Sequence, residues 1–140
     1  GFEQGRFWLL FLLVVIWSND TFAYFIGKNL GKHKLAPVIS PRKTIEGAVG
    51  GIIGGALVGI VFVHFTGLSA RLVETAAITV VIGLVAMIGD LAESLIKRAA
   101  NVKDSGTIIP GHGGVLDRID SLIFPVPLLY FYLLMRAFYA

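Results

Sequence analysis

Hydrophobic positions along the chain fall into four long runs that are separated by polar segments. The runs cover residues 7–26, 45–66, 75–95 and 119–139. A helix needs about 20 mostly apolar residues to cross a bilayer, and each run comes close to that length. The segments between the runs contain glycine and proline, which are typical of loops. The pattern predicts an all-α, polytopic membrane protein with about four transmembrane helices and two long polar loops.

The composition supports the same fold class. The 140 residues are 56% hydrophobic and only 15% charged, and the mean hydropathy is +0.81. Soluble domains carry roughly a quarter charged residues, and disordered chains have low hydrophobicity and high net charge, so neither class is expected. Because cysteine is absent, disulfides, iron–sulfur clusters, thiolate zinc sites and a cysteine nucleophile are excluded.

The positions of the basic residues predict the topology. Nine of the 12 lysines and arginines lie in the segments 28–43 and 97–118. The other three, Arg6, Arg71 and Arg136, fall at the opposite ends of the predicted helices. The positive-inside rule then places both long loops in the cytoplasm, with the termini and the short turn at Arg71 outside. The net charge of +3 is therefore assigned to a membrane surface, and no nucleic-acid partner is expected.

The second run carries a regular pattern of glycines. Gly47, Gly51, Gly55 and Gly59 follow one another at steps of four, and Gly50 and Gly54 lie on an adjacent stripe. At helical pitch such a stripe forms a smooth groove into which another helix packs closely. The packing partner could be a helix of this chain or a second copy in a homodimer, and the sequence leaves both open.

Six acidic residues lie in or beside the predicted spans, all near the predicted cytoplasmic face: Asp20, Glu46, Asp90, Glu93, Asp117 and Asp120. Carboxylates in such places are costly and indicate function unless they are paired. Asp90, Glu93, Ser94 and Lys97 share one helical face. Carboxylates three residues apart can converge on one hard cation such as Mg²⁺, which prefers oxygen ligands. The competing interpretation is a set of structural ion pairs with neighbouring lysines and arginines.

Two polar segments are candidates for phosphate binding. Residues 97–114 combine cations with glycines, so their backbone amides could surround a phosphate. Residues 39–47 place Ser40 and Thr44 before a predicted helix, where free amides bind anions. The same pattern is also that of an ordinary helix cap with Glu46 in the first turn, and both interpretations stay open. His112, in a Gly-His-Gly-Gly turn, is a better candidate than the solvated loop residue His33.

Cations for phosphate, acids for Mg²⁺ and a position at the membrane face together predict phosphoryl or nucleotidyl transfer onto a lipid. The nucleotide cannot be named on these grounds.

The segment 94–120 carries a specific family signature. It has the form Ser-x-x-Lys-Arg, four residues, Lys-Asp-x-Gly, then Pro-Gly-His-Gly-Gly, two residues, Asp-Arg-Ile-Asp. This pattern resembles the signature of the phosphatidate cytidylyltransferase (CDP-diacylglycerol synthase) family. Two further segments, 19–25 and 32–47, are similar to the same family.

The resemblance implies that the phosphate of phosphatidic acid attacks the α-phosphate of CTP, which gives CDP-diacylglycerol and pyrophosphate. It implies Mg²⁺ as cofactor, with K⁺ as a second metal, and a location in the bacterial inner membrane with the active site facing the cytoplasm. The implied metal ligands are Asp90 and Asp117, with Asp120 as a nearby or second-metal group. The implied catalytic residues are Asp90, Asp117, Asp120, Lys97, Arg98, Lys103 and His112. The implied substrate-binding residues are Asn19, Asp20, Ser40, Pro41, Lys43, Thr44, Glu46, Asp104 and Arg118.

The chain departs from the family pattern in two ways. Arg42 stands where the family often has lysine, and Ile45 stands where it often has an aromatic residue. Family members also usually carry further spans before this region, so residues 1–140 are interpreted as a single membrane-embedded catalytic portion without the N-terminal transmembrane helices.

Two alternative functions remain at this stage. One is a CTP-dependent transferase or kinase that acts on an isoprenoid or ether-lipid phosphate or alcohol, because apolar lipid tails are hard to distinguish. The other, from a different class, is a cation channel or transporter module in which buried acids form an ion path.

Overall fold

A computed structural model of the chain describes residues 2–100 and 122–139. The helices in these ranges are α1 (Phe2–Leu30), α2 (Ile45–Thr66), α3 (Leu72–Ala99) and α4 (Pro125–Tyr139). Two short strands, β1 (Lys34–Ala36) and β2 (Ser40–Thr44), lie between α1 and α2. The predicted all-α class is confirmed, with this small hairpin as the addition.

Three of the helices, α1, α2 and α3, are long and apolar enough to cross a membrane. α2 has the bounds predicted from the sequence, whereas α1 and α3 extend several residues beyond their apolar runs. α4 occupies the described part of the fourth run and begins at Pro125, where the missing amide hydrogen of proline costs the helix no hydrogen bond.

Both ends of α2 are closed by local chemistry. The Thr44 side chain accepts a hydrogen bond from the amide of Gly47 over 3.1 Å, so Thr44 is the N-cap. At the other end Gly67 adopts the left-handed conformation with φ of 67°, and its amide donates to the carbonyl of Val63. Glycine suits this position because it has no Cβ to clash.

The glycine stripe of α2 packs against α1. A Cβ placed on Gly51 would lie 2.7 Å from the carbonyl oxygen of Asn19, and one on Gly47 would lie 2.7 Å from that of Ala23. Side chains larger than hydrogen would therefore force the two helices apart. The predicted close packing is confirmed, and the partner helix is α1 of the same chain.

Two ends of the bundle can be distinguished, and we call them the turn end and the hairpin end. The turn end carries the connection between α2 and α3 at residues 67–71, and the hairpin end carries β1 and β2. Of the basic residues in the described ranges, Arg6, Arg71 and Arg136 belong to the turn end. The lysines and arginines from 28 to 43 belong to the hairpin end, as do those at 97 and 98.

The large buried side chains lie in the half of the bundle nearer the turn end. Phe11, Leu12, Val15 and Ile16 of α1 are almost fully buried. They join a core cluster to which the other helices contribute: Val63 from α2, Ile78 and Ile82 from α3, and Leu129 from α4. This cluster holds the helices together near the turn end, whereas toward the hairpin end they meet through glycine packing and polar contacts.

The outer surface of the bundle is apolar. Large side chains such as Trp17, Leu57, Phe65 and Ile88 are more than half exposed. In water this would be unfavourable, but lipid tails solvate such surfaces. Together with the three long apolar helices, this surface identifies the chain as a membrane protein.

Candidate active site

The hairpin is attached directly to the N-terminus of α2. β1 and β2 pair in antiparallel fashion, with Lys34 opposite Thr44 and Ala36 opposite Ser40. The amide of Ile45 donates to the carbonyl of His33 over 2.9 Å. The side chain of Lys34 also crosses the hairpin, and its Nζ donates to the Pro41 carbonyl over 2.7 Å. These contacts give a polar segment of the chain a defined path.

Glu46 joins α2 to the residue that precedes the hairpin. Both of its carboxylate oxygens accept from the backbone amide of His33 at 3.2 Å, and Oε1 lies 2.5 Å from His33 Nδ1. The Glu46 carboxylate thus holds the entry to β1 against the first turn of α2. A role of Glu46 in binding nucleotide stays a prediction, and its observed contacts are those of a positioning residue.

Lys43, near the end of β2, forms an ion pair with Asp90 of α3. The Lys43 side chain is 29% exposed and that of Asp90 is 47% exposed, so the pair lies at the surface of the bundle and is open to solvent. The hairpin therefore brings a basic residue onto the acid that the family resemblance implies as a metal ligand. Nothing in the spacing of the sequence indicated this contact.

The polar face predicted on α3 is present. Glu93 Oε1 and Lys97 Nζ form an ion pair at 2.9 Å, and both side chains are only 19% exposed. Ser94 is half-buried and Arg98 is exposed. Asp90, one turn before Glu93, lies on the same side of the helix. The face thus carries two acids, Asp90 and Glu93, followed one turn later by the base Lys97. Acids of this kind can bind a cation, and the base can bind a phosphate.

Asn19 is buried more deeply in the bundle than the Lys43–Asp90 pair. Asn19 is 7% exposed and its amide fits between two helices, since a Cβ on Gly51 or Gly83 would approach it to 2.5 or 3.1 Å. Gly83 precedes Asp90 by about 10 Å of helix. Asp20 is exposed on α1. The described contacts of Asn19 are with the packing interface, and its predicted role in substrate binding stays a prediction.

The remaining three candidates of the 39–47 segment belong to β2 of the hairpin. Ser40 is half-buried at the start of β2, and Pro41 is exposed. Thr44 is buried, and its hydroxyl caps α2. The helix-cap interpretation of this segment is therefore observed, while the interpretation as an anion site stays a prediction.

Six of the predicted site residues lie outside the described residues: Lys103, Asp104, His112, Asp117, Arg118 and Asp120. Within the described ranges, no group of three or more metal-binding side chains lies together. Phe124, which precedes α4, packs on Gly89, the residue next to Asp90. A Cβ on Gly89 would lie 2.7 Å from the Phe124 ring.

Sequence reasoning missed His33 as a contributor to this site, because a histidine between lysines in a loop is typical of a solvated residue. The spacing of His33 and Glu46 could have indicated their contact, because the residues between them are numerous enough to form a hairpin that returns to the start of α2. Such a return is visible only once β1 and β2 are known to pair.

Comparison with known proteins gives consistent matches. The sequence model of the cytidylyltransferase family matches residues 2–136. The phosphatidate cytidylyltransferase of Staphylococcus saprophyticus is 48% identical over 127 residues, and that of Bacillus subtilis is 47% identical over 131 residues. These alignments cover 91% and 94% of this chain and 49% of each relative. The chain thus spans about half the length of these relatives, and with the match over residues 2–136 it belongs to the cytidylyltransferase family.

Proposed function

We propose that the chain forms the catalytic part of an enzyme that transfers CMP from CTP to phosphatidic acid, giving CDP-diacylglycerol and pyrophosphate. Membership of the family and the names of the similar proteins support this function. The observation that carries it is the Lys43–Asp90 pair. It puts a lysine ammonium, a group that can bind phosphate, beside a carboxylate at the polar end of a membrane bundle.

The reaction requires positioning and charge neutralisation more than covalent help from the protein. An oxygen of the phosphatidic acid phosphate forms a bond to the α-phosphorus of CTP. The bond from that phosphorus to the bridging oxygen of the β-phosphate breaks, and pyrophosphate leaves. Both reactants are anions, so the lysines and arginines of the hairpin end reduce their repulsion.

The described residues fit a Mg²⁺ site that is completed by other groups. Mg²⁺ takes one or two carboxylates and keeps water or substrate phosphate as its other ligands. Asp90 supplies one half-exposed carboxylate that already binds a cationic group, the Lys43 ammonium. When bound, Mg²⁺ neutralises charge on the phosphate oxygens. K⁺ as a second metal stays a prediction.

Asp117 and Asp120 are proposed as the other acidic groups of this site. Phe124 packs on Gly89, the neighbour of Asp90. Asp120 precedes Phe124 by four positions, and an extended chain covers at most about 14 Å over that length. Asp120 is therefore within chain reach of Asp90. We further propose that Lys97, Arg98 and Lys103 contact phosphates of CTP or lipid.

His112, Asp104 and Arg118 complete the proposed signature residues. Their assignment to the reaction rests on the family resemblance of the 94–120 segment. The same basis supports the nucleotide pocket at residues 40–46.

The proposed substrates require access from both the membrane and the cytoplasm. We propose a bacterial inner-membrane location with the hairpin end in the cytoplasm, because the basic residues of the described ranges concentrate there. A homodimer stays a prediction. The glycine stripe, which could have served a second copy, is covered by α1.

The alternative of an ion channel receives less support from the described part of the chain. A channel needs a polar path through the middle of the bundle. The described ion pairs lie at the two ends. Between them the described part of the bundle is filled by glycine contacts and by the large apolar side chains of α1, and the polar side chains buried there, Asn19, Thr75 and Thr79, are uncharged. An isoprenoid or ether-lipid substrate remains an alternative outcome of the assay below.

The test is formation of CDP-diacylglycerol by the purified membrane protein that contains this chain. Radiolabelled CTP, phosphatidic acid and Mg²⁺ are supplied in detergent micelles, and polyprenol and ether-lipid substrates are run in parallel. We expect product from phosphatidic acid, and we expect Asp117→Asn to abolish it. Glu3→Gln is the matched control, because it makes the same acid-to-amide change at an exposed residue of the turn end. Product only from another lipid would overturn the proposed substrate.

A further inference from the structure

The ion pair between Lys43 and Asp90 joins two parts of the chain that are remote in sequence. Lys43 belongs to the hairpin and Asp90 to α3, 47 residues later. The two side chains are partly exposed, and the carboxylate is the more open of the two. Asp90 can therefore be approached from solvent while Lys43 is bound to it.

The position of Lys43 is set by the hairpin. The His33 carbonyl accepts from the amide of Ile45, and the Glu46 carboxylate binds the His33 amide and ring. Thr44, the next residue after Lys43, is buried as the helix cap. The backbone of Lys43 is therefore fixed, and only its flexible four-carbon stem can move.

A lysine ammonium and a divalent cation compete for the same carboxylate oxygens. Mg²⁺ carries twice the charge of the ammonium and can use water and phosphate as further ligands. An ion pair that is open to solvent is weak, so a divalent cation can replace the ammonium at small cost. The released ammonium would stay tethered to the hairpin, next to the cation and to any phosphate that the cation binds.

We propose that the Lys43 ammonium occupies the Asp90 carboxylate until a divalent cation displaces it, and that the freed ammonium then binds a phosphate of the nucleotide. The inference rests on the proposed function, since it takes Asp90 as a metal ligand. Before loading, Lys43 neutralises an acid beside the membrane, where an isolated charge is unfavourable. After loading, the same residue contributes to nucleotide binding. Cation binding and nucleotide binding are then coupled, and the coupling is reciprocal.

The first test follows the Lys43 amine directly. The purified protein is acetylated briefly with an amine-reactive ester, and labelling of each lysine is quantified by mass spectrometry with and without Mg²⁺. Lys34 is the internal control, because its amine donates to Pro41 within the same hairpin. We expect Mg²⁺ to raise labelling of Lys43 about three-fold, because a change of this size corresponds to the loss of a weak, exposed ion pair. Labelling of Lys34 should not change. CTP added with Mg²⁺ is expected to reverse the increase.

Two results of the labelling test would overturn the proposal. One is labelling of Lys43 that does not respond to Mg²⁺. The other is an equal rise at Lys34 and Lys43, which would indicate opening of the whole hairpin. The experiment needs no turnover, so its outcome is separate from the assay of CDP-diacylglycerol synthesis.

The second test measures the affinity for the cation itself. Mn²⁺ binding, followed by electron paramagnetic resonance, is compared for the unaltered protein, Lys43→Met, and the control Lys28→Met, which removes an exposed lysine of α1 that lies outside the hairpin. Because Lys43→Met removes a competitor, we expect Mn²⁺ to bind about three-fold more tightly, while CTP binds more weakly. A structural role alone would weaken or preserve Mn²⁺ binding, and either result contradicts the proposal. Lys43→Arg is a second control that keeps the positive charge. We expect its side chain still to compete with Mn²⁺ for Asp90, so that Mn²⁺ affinity stays close to that of the unaltered protein.

Discussion

The two ends of the bundle use charged side chains in different ways. At the turn end, Glu74 is bound by three groups: the Tyr132 hydroxyl at 2.5 Å, Arg136 Nε at 3.2 Å and the Arg71 amide at 3.3 Å. At the hairpin end, Asp90 of α3 pairs with Lys43 of the hairpin, and the Asp90 side chain is half exposed.

The surroundings of Glu74 and Asp90 also differ. Arg136 also lies over the ring of Trp8 at 5.7 Å, so the Glu74 network joins α1, α3 and α4 beside the apolar core. The Lys43–Asp90 pair joins the hairpin to α3, in the half of the bundle where the helices pack through glycines and not through large side chains. An acid with several fixed partners holds helices together, whereas an acid with an exposed partner can exchange it for a ligand.

The largest expected effect comes from removing the glycine packing that supports both ends. A Cβ at Gly51 would lie 2.5 Å from the Asn19 side chain, so Gly51→Leu should separate α1 from α2 and destabilise the fold by about 3 kcal/mol or more. Gly5→Leu is the control, because no atom lies within 4 Å of a Cβ there. Thermal unfolding in detergent measures both variants. Equal unfolding temperatures for the two would contradict the packing account.

The next effect separates the two acids by function. Asp90→Asn keeps the size of the side chain but removes its charge, and we expect turnover to fall about 100-fold or more, since even the partners of metal ligands contribute 10- to 100-fold. Glu74→Gln should lower thermal stability and leave turnover within about three-fold, because its network is remote from the site. The assay is CDP-diacylglycerol formation at saturating CTP. Similar losses in both variants would remove the distinction between the ends.

A smaller effect is expected when the hairpin is loosened without touching Lys43 or Asp90. Glu46→Gln weakens the contacts to His33, so the hairpin should hold Lys43 less firmly. We expect KM for CTP to rise about five- to ten-fold with a smaller change in kcat, the scale of one ordinary hydrogen bond in an exposed network. His33→Ala should give a similar split, and the double variant should add little. Additive effects would show that the two residues act separately.

The smallest effect is expected at the turn end. Tyr132→Phe removes the hydroxyl that donates to Glu74, and it should cost about 1 kcal/mol of stability. Tyr130→Phe is the control because Tyr130 is exposed. Turnover should be unchanged in both variants. A loss of turnover in Tyr132→Phe would connect the turn end to catalysis.

Most of the helical architecture could be predicted from hydrophobic pattern alone. α2 has the bounds 45–66 in prediction and structure because Thr44 and Gly67 terminate it locally. α1 and α3 are longer than predicted, since polar residues continue each helix beyond its apolar part. The hairpin was not predicted because its strands are short and polar, and its stability depends on Glu46 and on strand pairing.

The candidate site was predicted in part. Helical spacing placed Asp90 and Lys97 on one face, and the Glu93–Lys97 pair follows from it. The Lys43–Asp90 and His33–Glu46 contacts depend on tertiary structure, which spacing along one helix cannot reveal. The partner of the glycine stripe could not be chosen from sequence for the same reason. Small residues show that a helix packs closely without naming its neighbour.

Photochemical mapping can locate the nucleotide, which we propose binds at the hairpin end. A photoreactive CTP analogue is crosslinked to the purified protein with Mg²⁺, and the labelled peptides are identified by mass spectrometry. We expect label in residues 31–46 and in the last third of α3, and we expect unlabelled CTP to remove this label. Label that CTP removes from peptides around Arg71 or Arg136 would contradict this location.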